Sequence, residues 1–145
     1  MPALEPSSRP AAAYLLFLLL LVQGVSGLAG GLALTLDPTG DAIGLPRVWL
    51  EGSPFPDYRV PGLFLLAVLG AAPLWVAARV WQRKAWAWPG ALMVGLVLLA
   101  WLLVEIRVVG FQNDPPLQVI YGLVGAGIVI LCLAPSVRED LAGTR

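Results

Sequence analysis

Glu105 occupies the setting in this sequence that most demands a chemical explanation. It lies in Trp88–Gly110, WPGALMVGLVLLAWLLVEIRVVG, a run otherwise free of charge until Arg107. In a helix it would sit about five residues from the far end, roughly 7 Å deep at 1.5 Å per residue. A carboxylate at that depth is costly unless it is paired, protonated or turned to a wet cavity. It therefore marks a polar clamp between helices, a ligand or proton site, or a side chain that snorkels to the headgroups. Gln118, Tyr121 and Arg59 begin neighbouring apolar stretches at matching depth and are the candidate partners of a polar cluster. Trp101, four residues earlier, shares the Glu105 face. Arg107 points some 200° away and is expected to reach lipid phosphate along its apolar stem. Gln23, midway along another apolar run, is expected to hydrogen-bond a neighbouring helix.

Other chemistry is scarce. The chain has no His, which removes imidazole ligation of haem, the commonest zinc ligand and the usual neutral-pH proton shuttle. Cys132 is the single cysteine, so neither an internal disulfide nor a dithiol relay can form, and a buried inert thiol is expected. Asp37, Asp41, Glu51 and Asp57 lack EF-hand spacing and read as a solvated loop. Gly125-Ala126-Gly127 lies inside an apolar run with no strand before it and is no phosphate loop. Nine Lys/Arg balance nine Asp/Glu, leaving no basic excess for nucleic acid. No nucleophile–base pair, metal set or cofactor motif appears, so neither an enzyme nor a cofactor is expected.

The elements that must position these residues follow from where charge is missing. Only 12% of the 145 residues are charged and 59% are hydrophobic, against about 25% and about 45–50% in soluble domains. Uncharged gaps run for 27 residues after Arg9, 19 after Arg59, 20 after Lys84 and 23 after Asp114. A helix needs about 20 apolar residues to cross a bilayer, and lipid cannot satisfy a bare backbone. The expected fold is one all-α domain over residues 1–145: four transmembrane helices at about 12–35, 61–80, 88–109 and 116–134, an up-and-down bundle with a structured loop between the first two. Pro10, Pro61, Pro89 and Pro116 fit first helical turns, and Pro73 should kink the second helix. Trp88–Gly110 is expected to be the helix around which the others pack. The first run has a rival reading as a signal peptide ending near Gly24–Gly27, but its apolar character continues past the usual length of such a segment.

Lys and Arg set the expected orientation. Arg9, Arg79, Arg83, Lys84, Arg138 and Arg145 fall on one side, and Arg47, Arg59 and Arg107 on the other. The richer side should be cytoplasmic, placing both termini there in a cell (plasma) membrane. Trp81, Trp86 and Trp88 fit the headgroup zone of that side. Between Asp37 and Val60 the loop opens with the type I turn Asp37-Pro38-Thr39-Gly40. Its Trp49, Phe55 and Tyr58 predict that it folds back over the helix ends. The tail from Ala134 is expected to fray. Gly24, Gly27 and Gly31 on the first helix, and Gly122 and Ala126 on the fourth, are the expected close-packing positions, within one chain or between two.

Four segments together carry a resemblance: Gly31–Gly40 (G-L-x-L-x-x-D-P-x-G), Leu50–Leu63 (L-E-G-S-P-F-x-D-Y-x-V-P-G-L), Trp101–Ile106 (W-L-L-V-E-I) and Gln118–Gly122 (Q-x-x-Y-G). The chain resembles a group of small four-helix bacterial, often actinobacterial, membrane proteins of uncharacterised function. That resemblance implies a topology and no activity. The expected function is a non-enzymatic accessory or scaffolding subunit in contact with lipid and with a membrane protein or a second copy. The alternative is a small transporter or proton-coupled carrier using Glu105.

Overall fold

Long uncharged runs can satisfy their backbone by i→i−4 bonding, and the computed structural model, which describes residues 8–142, has helices and no strand among those residues. Helix α1 spans Ala11–Leu36. Helix α2 (Arg59–Leu66), a π turn (Ala67–Ala71) and helix α3 (Ala72–Trp81) run on without a gap. Helix α4 spans Ala87–Val109, α5 spans Leu117–Leu133 and α6 spans Pro135–Ala142. Two 3-10 turns, Asp41–Ile43 and Arg47–Leu50, break the loop after α1.

Three helical runs are long and apolar enough to cross a membrane: Ala11–Leu36, Arg59–Trp81 and Ala87–Val109. The 17 residues of α5 join that class only together with α6, from which α5 is bent by 67°. The outward side chains are themselves apolar. Leu15, Leu18, Val22, Val25, Leu32 and Leu36 form an exposed stripe on α1, and Leu123, Ile130 and Leu133 are exposed on α5. Water would penalise such continuous apolar faces, whereas lipid would not. The helices therefore suit a membrane.

The hub is α1, not the Trp88–Gly110 helix. α1 packs on α2, the π turn, α3, α5 and α6, while α4 packs chiefly on α5 and α3. The reason is a strip without Cβ atoms. A Cβ at Gly31 would lie 2.6 Å from Leu66 Cα and 2.7 Å from Gly62 O, and one at Gly24 3.0 Å from Gly70 O. A Cβ at Gly27 would fall on the Leu69 carbonyl group. Backbone thus meets backbone along about two turns. Between α4 and α5 the close approach uses Gly95 and Gly125, where a Cβ at Gly95 would be 3.2 Å from Gly125 O. Gly122 does not do this work, since its Cβ would meet Leu102 at an ordinary 3.9 Å. Ala126 is only half-buried. Gly122 lies a turn nearer the end where the helices splay around a cavity.

Pro73 explains the break in the second run. It has no N–H for the carbonyl of Leu69, four residues earlier. The chain widens into the π turn just before it, and Gln23 Nε2 donates to Leu69 O at 3.0 Å. The mid-helix amide of α1 thus covers the carbonyl that the proline leaves free.

The tail does not fray over Pro135–Ala142. Val137 and Leu141, one turn apart, are fully buried with Leu16, Val80 and Ala87. Asp140 lies between Arg9 Nε at 3.4 Å and Arg83 Nε at 3.2 Å, with the Asp140 and Arg9 side chains 6% and 7% exposed. The Arg9 contact is an attraction of charges without hydrogen-bond geometry. Arg9 also donates to Trp81 O and to Val80 O, the latter shared with the Arg83 N–H, at the C-terminal end of α3. Nearby, Trp88 Nε1 donates to Cys132 O at 2.6 Å, and Arg138 lies 5.1 Å over the Trp88 ring. This tail end gathers Arg9, Arg83 and Arg138; Arg145 lies outside the described residues.

At the opposite, loop end, Asp37 organises the first turn. Its carboxylate accepts from Thr39 Oγ1 at 2.6 Å and from Ala42 N at 2.8 Å. These bonds, the Thr39 hydroxyl foremost, hold the Asp37 carboxyl below its ordinary pKa. Gly40 has φ +81°, and a Cβ there would strike the Tyr58 ring. Tyr58 pins the loop down, donating from N to Pro38 O and from its hydroxyl to Pro46 O at 2.7 Å. Burial pushes the Tyr58 phenol pKa up.

Candidate functional site: a chamber beneath the loop

Two constraints open a cavity at the loop end. The glycine strip draws α1 against α2, while Tyr58 holds the 3-10 turns as a lid over the splayed ends of α1, α4 and α5. The space enclosed is about 440 Å³. That is within the roughly 300–1,000 Å³ of small-molecule sites. Its lining runs along α1 from Gln23 to Leu34 and along α4 from Leu98 to Val109. Each stretch is eleven residues on, about 16 Å of helix, so the chamber is longer than it is wide.

Glu105 faces this chamber, which it shares with Gln118 and Tyr121. Among the described residues its carboxylate makes no ion pair and no hydrogen bond. Gln118 is not available to it. The Gln118 amide is spent on the α4–α5 connection, accepting from Gln112 N at 2.8 Å and donating to Gly110 O at 3.2 Å. Arg59 does not join the cluster. It lies exposed on a separate hollow with Asp57 and Glu51. Asp57 Oδ1 accepts the Arg59 N–H at 2.9 Å, and α2 then turns Pro61 and Gly62 inward, leaving Arg59 outside. Arg107 is also exposed, facing away from the chamber as the helical angle dictates.

Two further polar groups face the chamber unpaired. Gln23, at its inner limit, is 2% exposed; its Nε2 serves Leu69, and its Oε1 has no donor. Trp101 stacks on Phe64 at 4.5 Å, and its Nε1–H has no acceptor. The sequence signals both: an amide inside an apolar run, and an indole one turn before an acid. The walls contributed by the loop, Trp49, Phe55 and Tyr58, depend on tertiary bonds that no local pattern reveals.

Chemically, the arrangement can bind and orient. It presents a long apolar tube, aromatic faces, the Glu105 carboxylate in the wall, the Asp114 carboxylate at the exposed rim and one deep acceptor. Among the described residues no group of three or more His, Cys, Asp or Glu could hold a metal ion. Cys132 is fully buried outside the chamber. No family model, no curated protein and no solved structure matches the chain.

Proposed function

We propose that this is an integral membrane protein that holds a small amphiphilic molecule in the chamber beneath its loop, as a binding protein or carrier. Four spans in up-and-down order are part of this reading, with α5 and the bent α6 as the fourth and both termini in the cytoplasm. The lysine and arginine distribution supports that orientation. So does the gathering of Arg9, Arg83 and Arg138 at the tail end. The helix α1 stays in the mature chain on this reading, because its loss would strip α2 and α3 of their packing partner. The resemblance to small four-helix bacterial membrane proteins agrees with the topology.

One observation carries the functional reading. A cavity of ligand size contains a buried acceptor, Gln23 Oε1, and a wall carboxylate, Glu105, and among the described residues neither has a partner. Buried polar groups are nearly always satisfied, so such a pair points to an occupant. The accessory-subunit reading is second. The glycine strip Gly24–Gly27–Gly31 is spent inside the chain, which leaves the outward face of α5 and the loop for a partner protein.

Gly30 gives the test. It lines the chamber, and a Cβ there would meet nothing within 4 Å. Gly30→Phe should fill the space while sparing the packing. A polarity-sensitive apolar fluorophore, titrated into lipid nanodiscs, should bind the parent chain saturably and bind Gly30→Phe at least tenfold more weakly. Equal binding by a well-folded variant would remove the chamber from consideration.

A further inference from the structure

We infer that the occupant of the chamber is an elongated lipophilic cation whose charged nitrogen rests beside Glu105. This rests on the reading of the chamber as a ligand site and adds the chemistry of what it takes.

The charge of the lining is one-sided. Glu105 lies in the wall and Asp114 at the rim, and among the described residues the lining contains no Lys or Arg. The nearest bases in sequence are turned elsewhere: Arg107 is exposed on another helical face, and Arg47 and Arg59 lie on a separate hollow. An anion entering here would meet two carboxylates and no counter-charge. A cation would supply to Glu105 the partner that it lacks among the described residues. In an apolar setting an unpaired ion is costly, so the pairing favours the complex over both free components.

The uncharged lining points the same way. Trp101, Tyr121 and Trp49 present aromatic rings, whose negative faces attract cations and repel anions. Gln23 Oε1, deep and 98% buried by its 2% exposure, is an acceptor and suits an N–H or O–H at the far end of the ligand. The Trp101 Nε1–H, one turn from Glu105, is a free donor and suits an ether or hydroxyl oxygen next to the cationic centre.

Length follows from the register of α4. Leu98, at the inner limit, lies seven residues before Glu105. That is about 10 Å of apolar wall. A molecule with its nitrogen at Glu105 can lay an apolar body of that length toward Gln23.

The test uses probes that differ in charge and hardly at all in shape. (6-Phenylhexyl)trimethylammonium, its neutral isostere with a tert-butyl group in place of trimethylammonium, and 6-phenylhexanesulfonate would be offered to the full chain in zwitterionic nanodiscs. Equilibrium dialysis measures binding, with empty nanodiscs as the blank. The ammonium should bind saturably and at least tenfold more tightly than the neutral isostere, and the sulfonate should not bind. Glu105→Gln should bind both the ammonium and the neutral probe, with the preference gone, while Glu105→Asp should keep it. Equal binding of the ammonium and the neutral probe, or saturable binding of the sulfonate, overturns the cationic assignment and leaves the ligand chamber standing. A preference that survives Glu105→Gln also overturns it. If no probe binds saturably, the chamber reading fails together with this inference. Should Glu105→Gln not fold, the three probes on the parent chain decide.

Discussion

Gly30 and Gly31 are adjacent in sequence and opposite in setting, and replacing each by Ala gives a matched pair. At Gly31 the new Cβ would stand 2.6 Å from Leu66 Cα and 2.7 Å from Gly62 O, and ordinary contact begins at 3.4 Å. The α2 backbone would have to retreat by at least about 0.8 Å, since both obstacles are main chain and neither can rotate away. Overpacking of this kind costs about 1–3 kcal/mol. The helix gains about 0.5–1 kcal/mol from Gly→Ala. The net expectation for Gly31→Ala is a loss of about 1–2 kcal/mol, with dispersion contacts along Gly24 and Gly27 weakened as the helices part. At Gly30 nothing lies within 4 Å of the Cβ. Gly30→Ala keeps only the backbone gain, from zero to about 1 kcal/mol. The two variants should therefore differ by about 1–3 kcal/mol. Reversible unfolding in mixed micelles, followed by far-UV circular dichroism, reads the difference. Coincident midpoints, or Gly30→Ala as the weaker protein, would refute the packing of α1 against α2.

Three further outcomes follow from the two ends of the bundle. Asp140→Ala removes the shared partner of Arg9 and Arg83. Breaking a buried pair costs about 3–5 kcal/mol. Arg9 keeps the carbonyls of Val80 and Trp81, so about 2–3 kcal/mol is expected. Added salt should change that value little, and a loss below about 0.5 kcal/mol would contradict the buried role. The Asp37 carboxyl is held below 3.8 by the Thr39 hydroxyl and the Ala42 N–H. A depressed folded value means stability that is present above the unfolded pKa and lost as pH falls through the folded one. Hydrogen exchange at Ala42, corrected for its intrinsic rate, should be level from neutral pH to about pH 4 and quicken below that, and Asp37→Ala should lack this acid step. For the orientation, Cys132 is too buried to react, so exposed positions are needed. In a Cys132→Ser chain on intact cells, an impermeant maleimide should label Ala42→Cys and spare Ala85→Cys; the reverse pattern would invert the proposed topology.

Helix limits were legible because charges and prolines stand at the edges of apolar runs. The expected 88–109 and the observed Ala87–Val109 differ by one residue at one end. The centre of the bundle was not legible. Hydropathy ranks the Trp88–Gly110 run highly, but the hub is decided by which helix lacks Cβ atoms along one strip, and that is α1. The tail was misread because its charges dominate its composition. Val137 and Leu141 at i, i+4 were the overlooked signal, and Asp140 is charged yet buried through Arg9 and Arg83. In the candidate site, Glu105 and Tyr121 were found by depth. Gln118 shares the depth and lines the chamber, but its amide is engaged by Gln112 and Gly110, and Arg59 shares the depth but not the direction, which depends on Asp57. Gln23 was expected to bond a neighbouring helix, and its acceptor became Leu69 O only because Pro73 leaves that carbonyl free.

The most direct measurement is of what the chamber holds when the protein leaves its own membrane. The parent chain and Gly30→Phe would be purified side by side in mild detergent, and their small-molecule content compared by native mass spectrometry and solvent extraction. One amphiphilic species should be retained near one per chain by the parent and lost from the well-folded variant. Identical content in both, whether the same species or nothing, would contradict the claim that this chamber is a binding site.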